Sequence, residues 1–157
     1  MPATRHGDVQ LYETSAIVRY IDEVFDGPSL LPATATERAV MEQWVSVLNC
    51  YVYDHLIRNY ALQYIIPSLH NQPPNRDAIN AGLDHVGRDL ELIDAAYAGR
   101  DWIASKSLSL ADLFLGPVLA TVTRFPEAAA AVEGKEGIKA FINRIERRDN
   151  YRAFCLV

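Results

Sequence analysis

Cysteine is scarce in this chain: Cys50 and Cys155 are the only two in 157 residues. They form no C-x-x-C pair and no metal-like cluster with the four histidines, so nothing points to a redox centre or a zinc site. Both read as buried structural thiols in a reducing compartment. Long apolar runs are missing too, and none approaches the ~20 residues that span a bilayer. Met1-Pro2-Ala3-Thr4-Arg5-His6 leads into no apolar stretch of a secretory signal, which makes the cytoplasm the expected location. Clustered positive charge is also lacking. The net charge is −5, and the one basic run, Arg144-Ile145-Glu146-Arg147-Arg148, is short and broken by acid. It reads as a solvated helix face, and nucleic acid is excluded as a partner because phosphate binding needs massed Lys and Arg. No internal repeat and no low-complexity tract is present.

What remains is the composition of an ordinary soluble domain, 50% hydrophobic and 22% charged, in a chain long enough to bury its own core. Residues 7–12 read as a turn and one short strand. From Thr14, the residues Ala16, Ile17, Tyr20, Ile21, Val24 and Phe25 recur at helical spacing. Gly27-Pro28 stops that helix, and Ser29 to Ala35 reads as a linker. Thr34 and Glu37 stand at capping-box spacing before one long helix, from about Thr36 to Ile66, which Pro67 ends or kinks. Its apolar residues fall on two sides: Val40, Trp44, Val47, Leu48 and Tyr51 on one, and Tyr53, Ile57, Tyr60 and Tyr64 on the other. A helix so covered must be buried on more than one side.

Asn75 or Asp77 opens the next helix, whose apolar face carries Ile79, Leu83, Val86, Leu90 and Ile93 and which ends near Gly99. Ser109 begins a helix containing Pro117, and short helices follow at about 126–132 and 136–147. Everything after residue 34 reads as all-α.

Three groups of residues carry chemistry. Ser109 and Asp112 have N-cap and N3 spacing, with Leu108 and Leu113 placed as a hydrophobic staple. That pair satisfies backbone donors at a helix start. Loss of the carboxylate in Asp112→Ala should cost roughly 1–2 kcal/mol. Glu13 and Thr14 stand at another helix start, where free amides and positive dipole potential suit a carboxylate. Thr14 or Ser15 could equally be a plain N-cap. Tyr53, Ile57, Tyr60 and Tyr64 form an aromatic face that suits core packing, the wall of an apolar pocket, or a dimer surface. His55 has no carboxylate at useful spacing in the sequence.

Glu13-Thr14-Ser15-Ala16-Ile17 resembles the Glu-Ser-x-Ala-Ile helix start of glutathione S-transferases, and three further stretches follow it in family order. Leu30-Leu31-Pro32, Glu37-Arg38-Ala39 and Gln43-Trp44 are similar to the family's interdomain linker and first long helix. Ser109-Leu110-Ala111-Asp112, with Leu108 before it and Pro117 within the helix, resembles the start of its central helix. Phe141 to Phe154 is similar to its last helix and tail, although Asp149-Asn150-Tyr151 replaces the usual Arg-Pro pair.

The resemblance implies an all-α, C-terminal-type helical bundle over residues 36–157. Residues 1–28 would be the remnant of a thioredoxin-like domain, one short strand plus a helix. It implies that Thr14 takes the γ-glutamyl carboxylate of glutathione and Glu13 its ammonium group. Glutathione would then be a weak ligand rather than a cofactor, with a hydrophobic electrophile as the second substrate and a homodimer as the assembly. In the family the Tyr, Ser or Cys that activates the thiol, and the cis-proline that binds the cysteinyl backbone, precede the Glu-Ser motif. Upstream of Glu13 this chain has only Pro2 and no Cys, and Tyr12 is out of position. No catalytic residue is therefore assigned, and the chain alone is expected to be inactive. A non-catalytic dimerisation or binding module, and a fragment of an active transferase, are the alternatives.

Overall fold

The computed structural model describes residues 2–151. Cys155 and the tail to Phe154 lie outside the described residues. The chain opens on two strands rather than one: β1 (Ala3–His6) pairs antiparallel with β2 (Val9–Tyr12), with Ala3 opposite Tyr12 and His6 opposite Val9. Gly7-Asp8 closes the hairpin, and the positive φ of Gly7 (58°) suits a glycine at the first position of a two-residue turn. β1 was not legible because Ala3-Thr4-Arg5-His6 has no apolar alternation to mark a buried face.

Helix α1 (Thr14–Val24) follows β2 directly and buries none of its residues fully. His6 Nδ1 meets Tyr20 Oη at 3.0 Å, tying the hairpin to it. Asp22 holds the linker, accepting the Leu30 amide at 2.6 Å and the Ser29 hydroxyl at 2.8 Å. Arg19 pairs with Glu42 on the next helix.

Thr34 then caps α2 (Ala35–Val47), accepting the Glu37 amide at 3.2 Å. The single long helix read from the sequence is a composite rod. After α2, residues Leu48–Ala61 are wound as a π-helix, and α3 (Leu62–Leu69) completes the rod. The Leu62 amide still reaches Ile57, five residues back. Such winding is rare beyond one turn and concentrates near functional sites. It also changes which residues are buried. The row Leu48, Val52, Leu56 and Tyr60, joined by Ile57 and Ala61, faces the core. Four-residue steps drift ~40° each in a regular α-helix, whereas the wider winding keeps residues four and five apart over one another. Tyr51 and Tyr53 are consequently exposed, and the two-stripe pattern drawn from 3.6-residue periodicity does not hold there. Cys50, read as a buried thiol, is exposed on the same segment.

Asn75 caps α4 (Arg76–Ala96) by accepting the Ala78 amide at 3.2 Å. The central α5 (Leu110–Val122) packs against the π-helical segment and α2, and α6 (Pro126–Val132) and α7 (Glu136–Glu146) close over α4 and α5. Asp94 caps α7 from α4 by accepting the Ile138 amide at 3.0 Å. That approach requires glycine at position 137, where a Cβ would lie 2.7 Å from Tyr97 Cβ. Arg144 is not simply solvated: it donates to the Asp101 carbonyl and carboxylate and lies over the Trp102 ring. No described helix is long and apolar enough to cross a membrane.

At the start of α5 the capping box forms as the spacing predicts, with Ser109 and Asp112 both fully buried. Asp112 Oδ2 accepts the Ser109 amide at 2.9 Å and the Ser109 hydroxyl at 2.8 Å. Its other oxygen accepts the Ile103 amide at 2.9 Å and the Tyr97 hydroxyl at 3.2 Å. Burial pushes the Asp112 carboxyl above its ordinary range despite these four bonds. Tyr97 is raised by burial, then by the Asp112 charge, and remains a donor.

Candidate functional site

β2 runs into α1 through Glu13, whose backbone has φ 71° and ψ 122°. A non-glycine residue held there costs roughly 1–3 kcal/mol, and such strain gathers at ligand clamps and active sites. Glu13 is the N-cap, and its carbonyl accepts the Ile17 amide at 3.0 Å, but no side chain caps the helix. The plain N-cap role open to Thr14 or Ser15 is therefore not taken up. Among the described residues, the Glu13 carboxylate and the Thr14 and Ser15 hydroxyls make no hydrogen bond or ion pair. Glu13 and Thr14 are both exposed. The first turn of α1 carries no acidic residue. The result is a helix start with free amides, a free hydroxyl and an adjacent free carboxylate, able to bind a group bearing both a carboxylate and an ammonium.

Beside Thr14 lies an apolar groove of about 420 Å³ between α1 and α5. Val18, Ile21 and Phe25 form one wall, and Leu113, Phe114 and Pro117 the other. Ile21 and Phe25 are about half exposed, so α1 turns much of its apolar face to this space.

The four residues Tyr53, Ile57, Tyr60 and Tyr64 do not share one face. Tyr53 is exposed, with the Arg58 guanidinium 5.7 Å from its ring centroid. Ile57 and Tyr60 lie in the core. The Tyr60 hydroxyl accepts the Ala128 amide and donates to Glu127, each at 3.0 Å. The Tyr64 hydroxyl also donates to Glu127, and Arg76 completes the cluster with Nη1 2.9 Å from Glu127 Oε1. Burial, and then the bond to Glu127, raise the Tyr64 hydroxyl; burial is also the main cause for Tyr60. Both remain protonated donors at neutral pH.

Partial burial pushes the Glu127 carboxyl up, but the tyrosine and backbone hydrogen bonds and the Arg76 charge outweigh it, leaving Glu127 below its ordinary range. A folded-state value below the unfolded one gives stability that is present above about pH 4.3 and is lost as pH falls through the folded value. Glu127→Gln should therefore lose about 1 kcal/mol at pH 7 and show a shallower fall in thermal midpoint between about pH 5 and 3. Parallel acid slopes in the two proteins would contradict this assignment.

His55 has the carboxylate partner that sequence spacing could not supply. Its Nδ1 donates to Asp89 Oδ2 at 2.8 Å, across 34 residues, and its ring lies 4.3 Å from that of His85. This pair ties the π-helical segment to α4.

The described residues form a helical bundle preceded by a β-hairpin and α1. Residues 57–149 match the family model described as glutathione S-transferase, C-terminal domain. The chain is 26% identical over 150 residues to glutathione S-transferase F10 of Arabidopsis thaliana, spanning 94% of this chain and 69% of that protein. It is 29% identical over 115 residues to glutathione S-transferase F9 of the same plant, covering 72% of this chain and about half, 53%, of that protein. The crystal structure of glutathione transferase F7 from Populus trichocarpa superposes on 98% of this chain with a TM-score of 0.84 at 26% identity, the chain covering 72% of it. The chain belongs to the glutathione S-transferase family and carries the family's C-terminal helical domain.

Proposed function

We propose that this protein is a glutathione S-transferase-like protein whose α1 start binds the γ-glutamyl end of glutathione, and that the 157 residues alone do not catalyse conjugation. The strained Glu13 backbone, set beside an unspent hydroxyl and uncapped amides, carries the first half. In this reading Thr14 and the first amides of α1 take the carboxylate and Glu13 takes the ammonium. The hairpin and α1 are the end of a thioredoxin-like domain over residues 1–28, and residues 36–157 form the helical domain. The apolar groove between α1 and α5 suits contact with further structure or with a hydrophobic electrophile.

A second reading, a non-catalytic module that pairs with another copy, is favoured by the apolar residues that α1 leaves exposed, with Tyr51 and Tyr53 also in contact with solvent. Titration with glutathione, followed by amide chemical shifts, separates the two. The first reading expects a dissociation constant of roughly 1 mM, with shifts centred on residues 13–17, and binding at least about tenfold weaker in Thr14→Ala. No saturable shift up to tens of millimolar would leave only the second.

A further inference from the structure

The seam between the π-helical segment and α4 holds a side-chain cluster that the Glu13–Thr14 site does not use. Gly82 lets the two backbones approach there, since a Cβ at that position would already stand 3.4 Å from the Asn59 carbonyl oxygen. Beside this contact the His55 and His85 rings meet, with centroids 4.3 Å apart and planes 34° from parallel. Both line a cavity of about 330 Å³, to which Asn59 and Gln63 add amide groups. The two histidines stand on different elements, far apart in sequence, so no ligand spacing marks them.

The hydrogen bonds fix where each imidazole keeps its lone pair. His55 Nδ1 donates to the largely buried Asp89 at 2.8 Å, which leaves the His55 lone pair at Nε2. A carboxylate behind the ring is the arrangement that orients a metal-binding histidine and raises its basicity. At His85 the lone pair is at Nδ1, because a guanidinium only donates and Arg88 Nη2 lies 3.3 Å from that atom. This bond is long. Arg88 also donates its Nε–H to the Asp84 carbonyl at 3.2 Å, so a Lewis acid can displace Nη2 without releasing the side chain. Gln63 donates from Nε2 to the Arg58 carbonyl at 3.0 Å, and its amide oxygen is left as an acceptor. Among the described residues no three His, Cys, Asp or Glu converge on one point. Coordination beyond the two imidazoles therefore falls to amide oxygen and water. Two neutral nitrogens with oxygen suit Zn²⁺, Ni²⁺ or Cu²⁺, and do not suit Mg²⁺ or Ca²⁺, which take oxygen ligands.

We propose that His55 and His85 together bind one divalent ion of the zinc class, through His55 Nε2 and through His85 Nδ1 in place of Arg88. Asp89 acts from behind as the positioning residue for His55. The ion bridges the π-helical segment and α4, and its remaining positions hold water.

The test is titration of the full chain at pH 7 with Zn²⁺ alone, followed by amide and imidazole ¹⁵N chemical shifts, with Mg²⁺ as the control. The expected result is saturable binding of one equivalent of Zn²⁺, with shifts on both elements, at His55, Gly82 and His85, and no response to Mg²⁺. Asp89→Asn should weaken binding about tenfold, and His55→Gln and His85→Gln should weaken it further. Arg88→Gln removes the competing donor and a positive charge, and should tighten binding. His85 is exposed, so its replacement spares the fold, which the unchanged remainder of the amide spectrum verifies. Absence of saturable binding, unchanged affinity in His85→Gln, or shifts confined to the surroundings of His6 or His70 would overturn the proposal. So would weaker binding in Arg88→Gln.

Discussion

Asp112→Ala should lower the stability of the domain by about 3–5 kcal/mol, well beyond the 1–2 kcal/mol of an ordinary helix cap. The carboxylate accepts four bonds, from the Ser109 amide and hydroxyl, the Ile103 amide and the Tyr97 hydroxyl. Its removal leaves three buried residues with unanswered donors, each costing roughly 1–3 kcal/mol, and the release of a desolvated charge offsets part of that sum. The loss is a large fraction of the ~5–15 kcal/mol by which domains are stable. Urea melts at pH 7 measure it, and an unchanged midpoint would show that the hub is not formed. The pH dependence supplies a second check. Because burial holds the folded Asp112 carboxyl above its unfolded value, its contribution is fully present below the unfolded value and declines as pH rises through the folded one. The penalty of Asp112→Ala should therefore be at least as large at pH 4 as at pH 7.

The local parts of this fold were legible because short-range chemistry writes them. Ser109 and Asp112 form the capping box that their spacing predicts; Thr34 caps α2 through the Glu37 amide, with the Glu37 carboxylate taking the Thr34 hydroxyl rather than its backbone amide; and Asn75, one of the two residues read as opening α4, is the one that caps it. What joins distant segments was not legible. Tyr97 and Ile103 reach Asp112 from outside its helix, Asp89 reaches His55 across 34 residues, and Glu127 reaches Tyr60 across 67. No spacing rule connects such pairs. The π-helical winding was hidden for another reason. Periodicity assumes 3.6 residues per turn, and where the turn widens the same apolar residues point elsewhere, which is why Tyr53 left the face assigned to it. At Glu13 the residue type misleads, since a positive φ is expected of glycine or asparagine. Only the likeness of Glu13-Thr14-Ser15-Ala16-Ile17 to a family motif drew attention to that position.

The purified 157-residue chain should conjugate glutathione to a generic aryl halide no faster than buffer does. On the function proposed above, Glu13 and Thr14 would hold the γ-glutamyl end of the peptide alone, at a helix start that no side chain caps. Nothing assigned in this chain holds the cysteinyl backbone. Placing the thiol against its target can be worth about 7–11 kcal/mol of the barrier. Nor does any residue assigned here lower the thiol pKa. A thiol near its free value of about 8.5 is only about 3% thiolate at pH 7, and the thiolate is the nucleophile. Tyr60 and Tyr64 do not substitute for a thiol-activating residue, because their hydroxyls are committed to Glu127 and their pKa values are raised. Initial rates of thioether formation, measured with and without protein at millimolar glutathione, decide the matter. Turnover well above the buffer rate, abolished by Thr14→Ala, would overturn the expectation and show that the half-site at the start of α1 is sufficient for catalysis.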